Sequence, residues 1–565
     1  MKEPIYIRRN MVLLNYTKAY YTTAEELLSS EGFSFFLKKY LNYLSHNQPQ
    51  LFEWLRRGLT IEEMEKDLIR LLKVMQVLDV EEINHPYFKD REKMLAVIEN
   101  CYHFWRNMQR YSLIYTKDEE GLQLANFIDA DMKFHQMILD FYRTVQQKTQ
   151  GSKNRVYRQL QAGTNASLLL RDYRWPMPDP YKPLDHVPFI HTIMMRTPLI
   201  IHPRSNKRIG TFTEVKENPM NDWVEGDQEW MCFPLKVGSL LCYTYFHRDF
   251  TAGAVALANL FELASDEECI GVKPDLLVLF GNPDGKDDTV FYHDEENRMW
   301  VGKVSYADVI EYFGYFKKMI LTLHNLAMME KGWLPLHGAM INITLNDGTK
   351  KGIVMIGDSG AGKSETIEAL TNMAEDVIVD REIVFDDMGS LHLDENGKIC
   401  AQGTEIGAFV RLDDLDKGSA YKDMDRSIFF NPESANARVV IPAAPYSLIT
   451  TNQKVDMFMY ANNYTDRKGI RGFTSREEAM QTFIEGKRFA LGTTQEKGLS
   501  TTFFANPFGP MQKQDQCLKI IEQMFDALLD QGIFLGEIYT GLGLPDKGGN
   551  ALEVAAQELL HKISE

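Results

Sequence analysis

The chain has 565 residues, 44% of them hydrophobic and 25% charged. That is too long for one core and too apolar for disorder, so two or three packed domains are expected. A net charge of −17 disfavours general affinity for nucleic acid, whose phosphates call for a basic surface, so any nucleotide site must gather its own cations.

The first residues hold no apolar run long enough for a secretory leader, and no stretch approaches the eighteen or so apolar residues of a membrane span. The six cysteines, Cys101, Cys232, Cys242, Cys269, Cys400 and Cys517, are scattered without a CxxC pair. They suggest neither a structural zinc site nor a disulfide framework, and a reducing cytoplasm is the expected location.

Residues 24–150 read as helical, because "TAEELLSSEGFSFFLKKYLNYL", "TIEEMEKDLIRLLKVMQVL", "REKMLAVIENCYHFWRNMQRY" and "DADMKFHQMILDFYRTVQQK" repeat apolar residues every three to four positions. Thr60 precedes "IEEM" as a helix start. Such a region reads as a scaffold or docking bundle, with a protein as its partner. The basic stretch at 153–161, with Lys153, Arg155 and Arg158, reads as a solvated helix face in preference to an anion site. Proline-dense "RWPMPDPYKPLDHVP" at 174–188 reads as an extended connector and a boundary. Beyond it, strand-like runs "HTIMMRTPLII", "DLLVLFG" and "RMWVGKVSY" mix with helix, and residues 333–565 alternate strand and helix. The expected fold class is α/β or α+β, with a helical region at 1–173, a smaller mixed domain at 174–332 and a P-loop nucleotide-binding domain at 333–565.

"GDSGAGKS", Gly357 to Ser364, matches GxxxxGK[ST] between the apolar strand "GIVMI" and the helical pattern "ETIEAL". Gly357, Asp358, Ser359, Gly360, Ala361 and Gly362 form the loop whose amides point at phosphate oxygens, and Glu365 opens the helix behind it. Lys363 suits the β- and γ-phosphates of ATP or GTP, and Ser364 suits Mg²⁺. Downstream, "DVIVDREIVFDD" offers Asp380 soon after the loop, with Glu382 and the Asp386-Asp387 pair as further carboxylates. Strand alternation would put Glu382 on the face of Asp380 and Arg381 on the other.

"LHGAMI", the loop and their flanks resemble the phosphoenolpyruvate carboxykinases and, more distantly, the HPr kinases. "EYFGYFKKMILTLHNLAMMEKGWLPLHGAM" is similar to the carboxykinase pattern YxGxxKKG…LPLxxxxxxH, with Tyr312, Gly314, Lys317, Lys318, Leu334, Pro335, Leu336 and His337 in its slots. "NARVVIPAAPYSLI" resembles the segment NTRxxYPI, giving Asn436 and Arg438, and the tail from "STTFFANPFGP" resembles the family's C-terminus. The resemblance implies the family fold over about 265–565, and a nucleotide with a small dicarboxylate as ligands. It implies Lys318, His337 and Asp380 on Mn²⁺, Lys363 and Ser364 on the nucleotide and its Mg²⁺, and Arg438 and Tyr312 near the substrate. A lysine ligates metal only as a neutral amine, so its proton must be displaced.

The sequence departs from the family in four places, one being the missing arginine near the adenine, where "LPDKGGNALE" replaces GTGKRxxxxxT. The usual adjacent aspartates read Asp380-Arg381-Glu382, and EGGCYAK is reduced to "AQGTEIGAF". No counterpart of the substrate-clamping TGRSPKDK is evident, which leaves Arg196 as the nearest candidate. The implied reaction converts oxaloacetate to phosphoenolpyruvate and CO₂. The alternatives are an HPr-kinase-type phosphotransferase with Asp380 as base, or a nucleotide-sensing scaffold without turnover. In all three, Lys363→Ala removes the loop's fixed cation, so calorimetry should show ATP and GTP binding abolished or greatly weakened.

Overall fold

The structure, a computed structural model, describes residues 3–565 apart from 117–121, 155–156, 158–159, 227–228, 358–359, 374–376, 413–423, 435, 492–496 and 546–548. Two compact units result, one of Met1–Asp172 with Pro188–Leu199 and Gly226–Glu229, the other of Tyr173–Val187, Ile200–Glu225 and Trp230–Glu565. Among the described residues no helix is long and apolar enough to cross a membrane.

The first unit is not purely helical. Ile5–Arg8, Met11–Asn15, Gln109–Tyr115, Ala166–Arg171 and Phe189–Met195 lie side by side in that order, with parallel pairing in the middle. The strand Gln109–Tyr115 starts one residue after the helix Arg91–Asn107, so the helical period upstream hides it. The helices follow local chemistry: Thr23 with Glu26 and Thr60 with Glu63 form capping boxes, which satisfy amides that a helix start leaves unpaired. Ser30 caps Glu31–Asn47 and so splits the first predicted helix in two. Lys153, Asn154 and Tyr157 stand outside any helix, while Arg155 and Arg158 lie outside the described residues.

The second unit is mixed α/β. One sheet region orders Trp230–Val237, Leu240–His247, Leu276–Asn282, Met299–Ser305 and Thr289–Asp294. The helix Gly314–Glu330 packs on Leu276–Asn282 and Met299–Ser305, and also on the long strand Leu334–Leu345. That helix is buried from Gly314 to Met329 apart from Lys318, and most of the expected segments 174–332 and 333–565 fall in this one unit. The segment 174–187 is likewise no free connector: Asp179–Leu184 forms a 3₁₀ turn whose buried Tyr181 donates to Asp294 at 2.6 Å.

Leu334–Leu345 is the axis of the second sheet. It pairs with Lys350–Ile356 on one side, and on the other with Ile378–Phe385 and then Met388–Leu393. Lys350–Ile356 runs parallel to Met457–Asn462, which runs parallel to Phe534–Tyr539. The phosphate loop therefore leaves the C-terminal end of a central strand, where open α/β sheets present their ligands.

A buried ion cluster supports the first sheet region. Lys303 Nζ lies 2.8, 2.8 and 2.9 Å from Asp222, Asp284 and Asp288. The three carboxylates could hold a metal by their spacing alone, but the ammonium already bridges them. Hydrogen bonds from Lys286 and Lys303 hold Asp222 below its ordinary value; at Asp284 burial opposes the shift and Lys303 outweighs it. Because these folded-state values are depressed, the stabilisation is complete above the free carboxyl value near ~4 and is lost as pH falls through the depressed values. Lys303→Met should therefore lower stability by roughly 2 kcal/mol at neutral pH, between exposed and buried pairs, with the deficit shrinking on acidification. Urea midpoints at two pH values check it.

Candidate functional site

The phosphate loop is held from behind. Gly362 adopts φ +96, and a Cβ there would stand 2.6 Å from the Thr540 Cβ, so only glycine fits. Asn463 Nδ2 donates to the Gly360 carbonyl at 2.9 Å and Thr540 Oγ1 to the Ala361 carbonyl at 2.8 Å. Those carbonyls are thus engaged by the protein, as is the Gly357 amide, which donates to the His337 carbonyl. The helix Lys363–Met373 begins at the loop and adds its positive end. Lys363 is buried and donates to the Gly357 carbonyl at 2.7 Å. Glu365 is half-buried in the first turn. Asp358 and Ser359 lie outside the described residues, as does the side chain of Ser364.

His337 sits beside this loop. Its carbonyl accepts from the Gly357 amide at 3.1 Å, and the next amide, of Gly338, donates to the Asp387 carbonyl at 2.9 Å. A Cβ on Gly338 would meet the Met355 carbonyl at 2.4 Å, which accounts for the glycine after the histidine.

Four side chains converge here. Asp387 receives Lys317 at 2.6 Å, Lys318 at 2.8 Å and His337 Nε2 at 3.0 Å, and Lys317 also reaches Glu405 at 2.9 Å. His337 Nδ1 lies 2.8 Å from the Ala505 carbonyl, which can only accept, so Nδ1 carries the proton toward it. Nε2 then faces a carboxylate oxygen. Two electron pairs so placed are reconciled by a cation between them, either a proton or a metal.

The two lysines differ. Burial opposes the charge on both, but Asp387 and Glu405 outweigh it at Lys317 and raise that amine above its ordinary value. At Lys318 burial prevails, aided by Lys317, and the amine is lowered. Asp387 is held well below the carboxyl range: burial acts against this, and Lys317 and Lys318 outweigh it. Burial, opposed by Lys317 and aided by Asp387, pushes Glu405 up. Lys318 is thus the amine readier to lose its proton. An amine, an imidazole nitrogen with its second nitrogen anchored, and a carboxylate are a donor set suited to a mid-row divalent cation.

The expected carboxylate is not the one the structure supplies. Asp380 is exposed and pairs with Thr344, seven residues along the strand from His337, or roughly 23 Å at strand rise. Arg381 and Glu382 are exposed with it. Asp387 takes the place beside His337 because the paired strands Ile378–Phe385 and Met388–Leu393 are interrupted there, opposite Gly338.

Arg438 stands near the cluster. Its guanidinium lies 5.7 Å from the centre of the Phe409 ring, which Lys317 approaches at 5.9 Å, and Tyr312 packs on the same ring at 6.0 Å. Arg438 Nε is buried without a hydrogen-bond partner among the described residues. Asn436 donates to the Asn206 carbonyl at 2.8 Å, and Asn431 to Pro203 and Asn206 at 2.8 and 2.6 Å. Those bonds fix a loop that sequence reasoning passed over. From it, Arg208 stacks 5.3 Å from Phe508, on which Lys318 Nζ sits at 4.6 Å. Arg204-Ser205-Asn206-Lys207 has the Arg-Ser-x-Lys order of TGRSPKDK, and that was the available signal. Arg204 itself is held by Asp308 and Glu311.

Arg196, the earlier substrate candidate, belongs to the first unit. There it is bound to Asp131, whose side chain is fully buried and also accepts from Thr164 and Ser167. A guanidinium neutralising a buried carboxylate serves the fold, and Arg196 is withdrawn as a substrate residue.

No family model matches the chain, and no curated protein matches it. If Lys318, His337 and Asp387 hold one divalent cation, Asp387→Asn should cut Mn²⁺ affinity at least about tenfold, while Asp380→Asn leaves it unchanged. Electron paramagnetic resonance of free Mn²⁺ measures both, and equal losses would remove the assignment.

Proposed function

We propose that the second unit carries out nucleotide-dependent phosphoryl transfer of the phosphoenolpyruvate carboxykinase type, converting oxaloacetate to phosphoenolpyruvate and CO₂ with ATP or GTP. The observation that carries this reading is the meeting of Lys317, Lys318, His337 and Asp387 at the first residue of the phosphate loop. A nucleotide site alone would need no such cluster.

In this reading the loop amides and Lys363 hold the β- and γ-phosphates, with Lys363 exchanging the Gly357 carbonyl for a phosphate oxygen. A divalent cation such as Mn²⁺, held by Lys318, His337 and Asp387, would supply positive charge where oxyanions develop. Ser364 is the Mg²⁺ residue that the resemblance implies. Lys317 keeps its proton and so offsets Asp387 and Glu405. The guanidinium groups of Arg438 and Arg208 lie within 5.7 and 5.3 Å of the Phe409 and Phe508 ring centres, and a planar fork held near such rings suits carboxylate and phosphoryl oxygens. The buried Nε of Arg438 is a donor that such an oxygen would satisfy. The roles are those of positioning and charge, which is what phosphoryl transfer demands.

The kinase alternative with Asp380 as base has the exposed far end of the strand against it. Purified protein with Mn²⁺ and Mg²⁺ should form phosphoenolpyruvate from oxaloacetate with ATP or GTP. Arg438→Lys should keep nucleotide affinity yet lose turnover on the order of 100-fold, because an ammonium cannot span two oxyanions. Phosphorylation of a hydroxyl acceptor with no phosphoenolpyruvate would put the HPr-kinase type in its place. Nucleotide binding with neither product would leave the sensing scaffold.

A further inference from the structure

The first unit contains an apolar cavity of about 130 Å³. Its walls come from five helices, Ala24–Leu28, Glu31–Asn47, Ile61–Val77, Arg91–Asn107 and Leu122–Gln150, and from the strands Ile5–Arg8 and Met11–Asn15. Phe36, Tyr40, Leu68, Val97, Trp105 and Phe134 are among the lining side chains, and nearly all its surface is carbon. Protein interiors pack as densely as organic crystals, and voids larger than a water molecule are few. An apolar pocket of this size accepts molecules such as benzene or xenon.

Two observations distinguish it from a gap left by small residues. The walls are large: Phe36, Trp105, Phe134 and Tyr40 are all buried around it, so the void exists although the chain spends its bulkiest side chains there. The second is polar. Tyr102 lines the cavity with its ring stacked 3.6 Å from Tyr142, and its hydroxyl is buried without a hydrogen-bond partner among the described residues. A buried hydroxyl left unsatisfied is costly, and a ligand N–H donating to its oxygen would offset part of that cost. The neighbouring hydroxyl of Tyr142 is already committed to Glu99 at 2.9 Å, so a ligand would meet one polar wall group and otherwise hydrocarbon.

We infer that this cavity is a binding site for a small, mainly apolar molecule of benzene-to-indole size, carrying at most one hydrogen-bonding group. The inference stands independently of the phosphoryl-transfer reading, since every residue it uses lies in the first unit.

The test uses the full chain with xenon and indole as probes. Crystals pressurised with xenon should show a peak among Phe36, Val97 and Phe134. Indole should raise the melting temperature of the unit by roughly 3 °C at ten times its dissociation constant. Val97→Phe and, separately, Leu68→Phe place a ring in the void, and each should abolish the indole response. Tyr102→Phe should retain xenon and weaken indole, because xenon needs no acceptor partner. Absence of the xenon peak together with an unchanged melting temperature in indole overturns the inference, whether or not the filled variants fold. An indole response that survives in a folded Val97→Phe or Leu68→Phe overturns it as well.

Discussion

Asp387 is the charge on which the second unit turns. The helix Gly314–Glu330 begins with Phe313 as its cap, has no side-chain cap bond and no acid in its first turn. It carries Lys317 and Lys318 there instead, at the end where the helix dipole is already positive. Lys317 is fully buried, so neither water nor a cap residue relieves that arrangement. Asp387, from the break between two strands, accepts both ammonium groups, and Glu405 takes a second contact from Lys317. A buried charge left without its partner costs several kcal/mol, so helix and sheet are tied through this carboxylate.

The two buried ion clusters of this unit make different use of the same chemistry. At Lys303 one ammonium meets three carboxylates and one hydroxyl, Ser305, also bonds to Asp284, so the donors and acceptors close on one another. At Asp387 two amines and an imidazole share one carboxylate, with one amine lowered by burial and the imidazole turned by the Ala505 carbonyl. The first arrangement is complete as a structural clamp. In the second, burial eases loss of the Lys318 proton, which is what the proposed metal site built on lysine would require.

What the sequence made legible was local, and what it concealed was long-range. The phosphate loop is read from eight consecutive residues because its mechanism is that of a tight turn before a helix. Lys318 and His337 are legible because one helix and one strand, joined by a short turn, fix their separation. The third expected ligand, Asp380, pairs with Thr344 farther along the strand, whereas the strand bond network places Asp387 opposite Gly338. Arg196 misled for a related reason: its partner Asp131 lies on a distant helix, and nothing beside Arg196 announces a buried carboxylate. Glu405 and Phe409 sit in "AQGTEIGAF", a segment that departs from the family pattern and yet reaches Lys317. The strand Gln109–Tyr115 was masked by the helix ahead of it, and so a unit with a sheet at its base read as helical.

The phosphate loop and the Asp387 cluster are joined by adjacent peptide groups. The His337 carbonyl is bonded to the Gly357 amide, and the Gly338 amide to the Asp387 carbonyl, so the peptide linking His337 to Gly338 faces both. Gly338 cannot yield sideways, since the Met355 carbonyl closes on it. Any displacement of the loop toward a phosphate is therefore passed to the backbone that holds His337, and a pull on Asp387 is passed back to the loop. Coupling between two sites is reciprocal in free energy, and here the element that both must move is a single peptide in a fully paired strand. In the proposed reading, a nucleotide and a cation bound at these places would be positioned against each other by the strand itself.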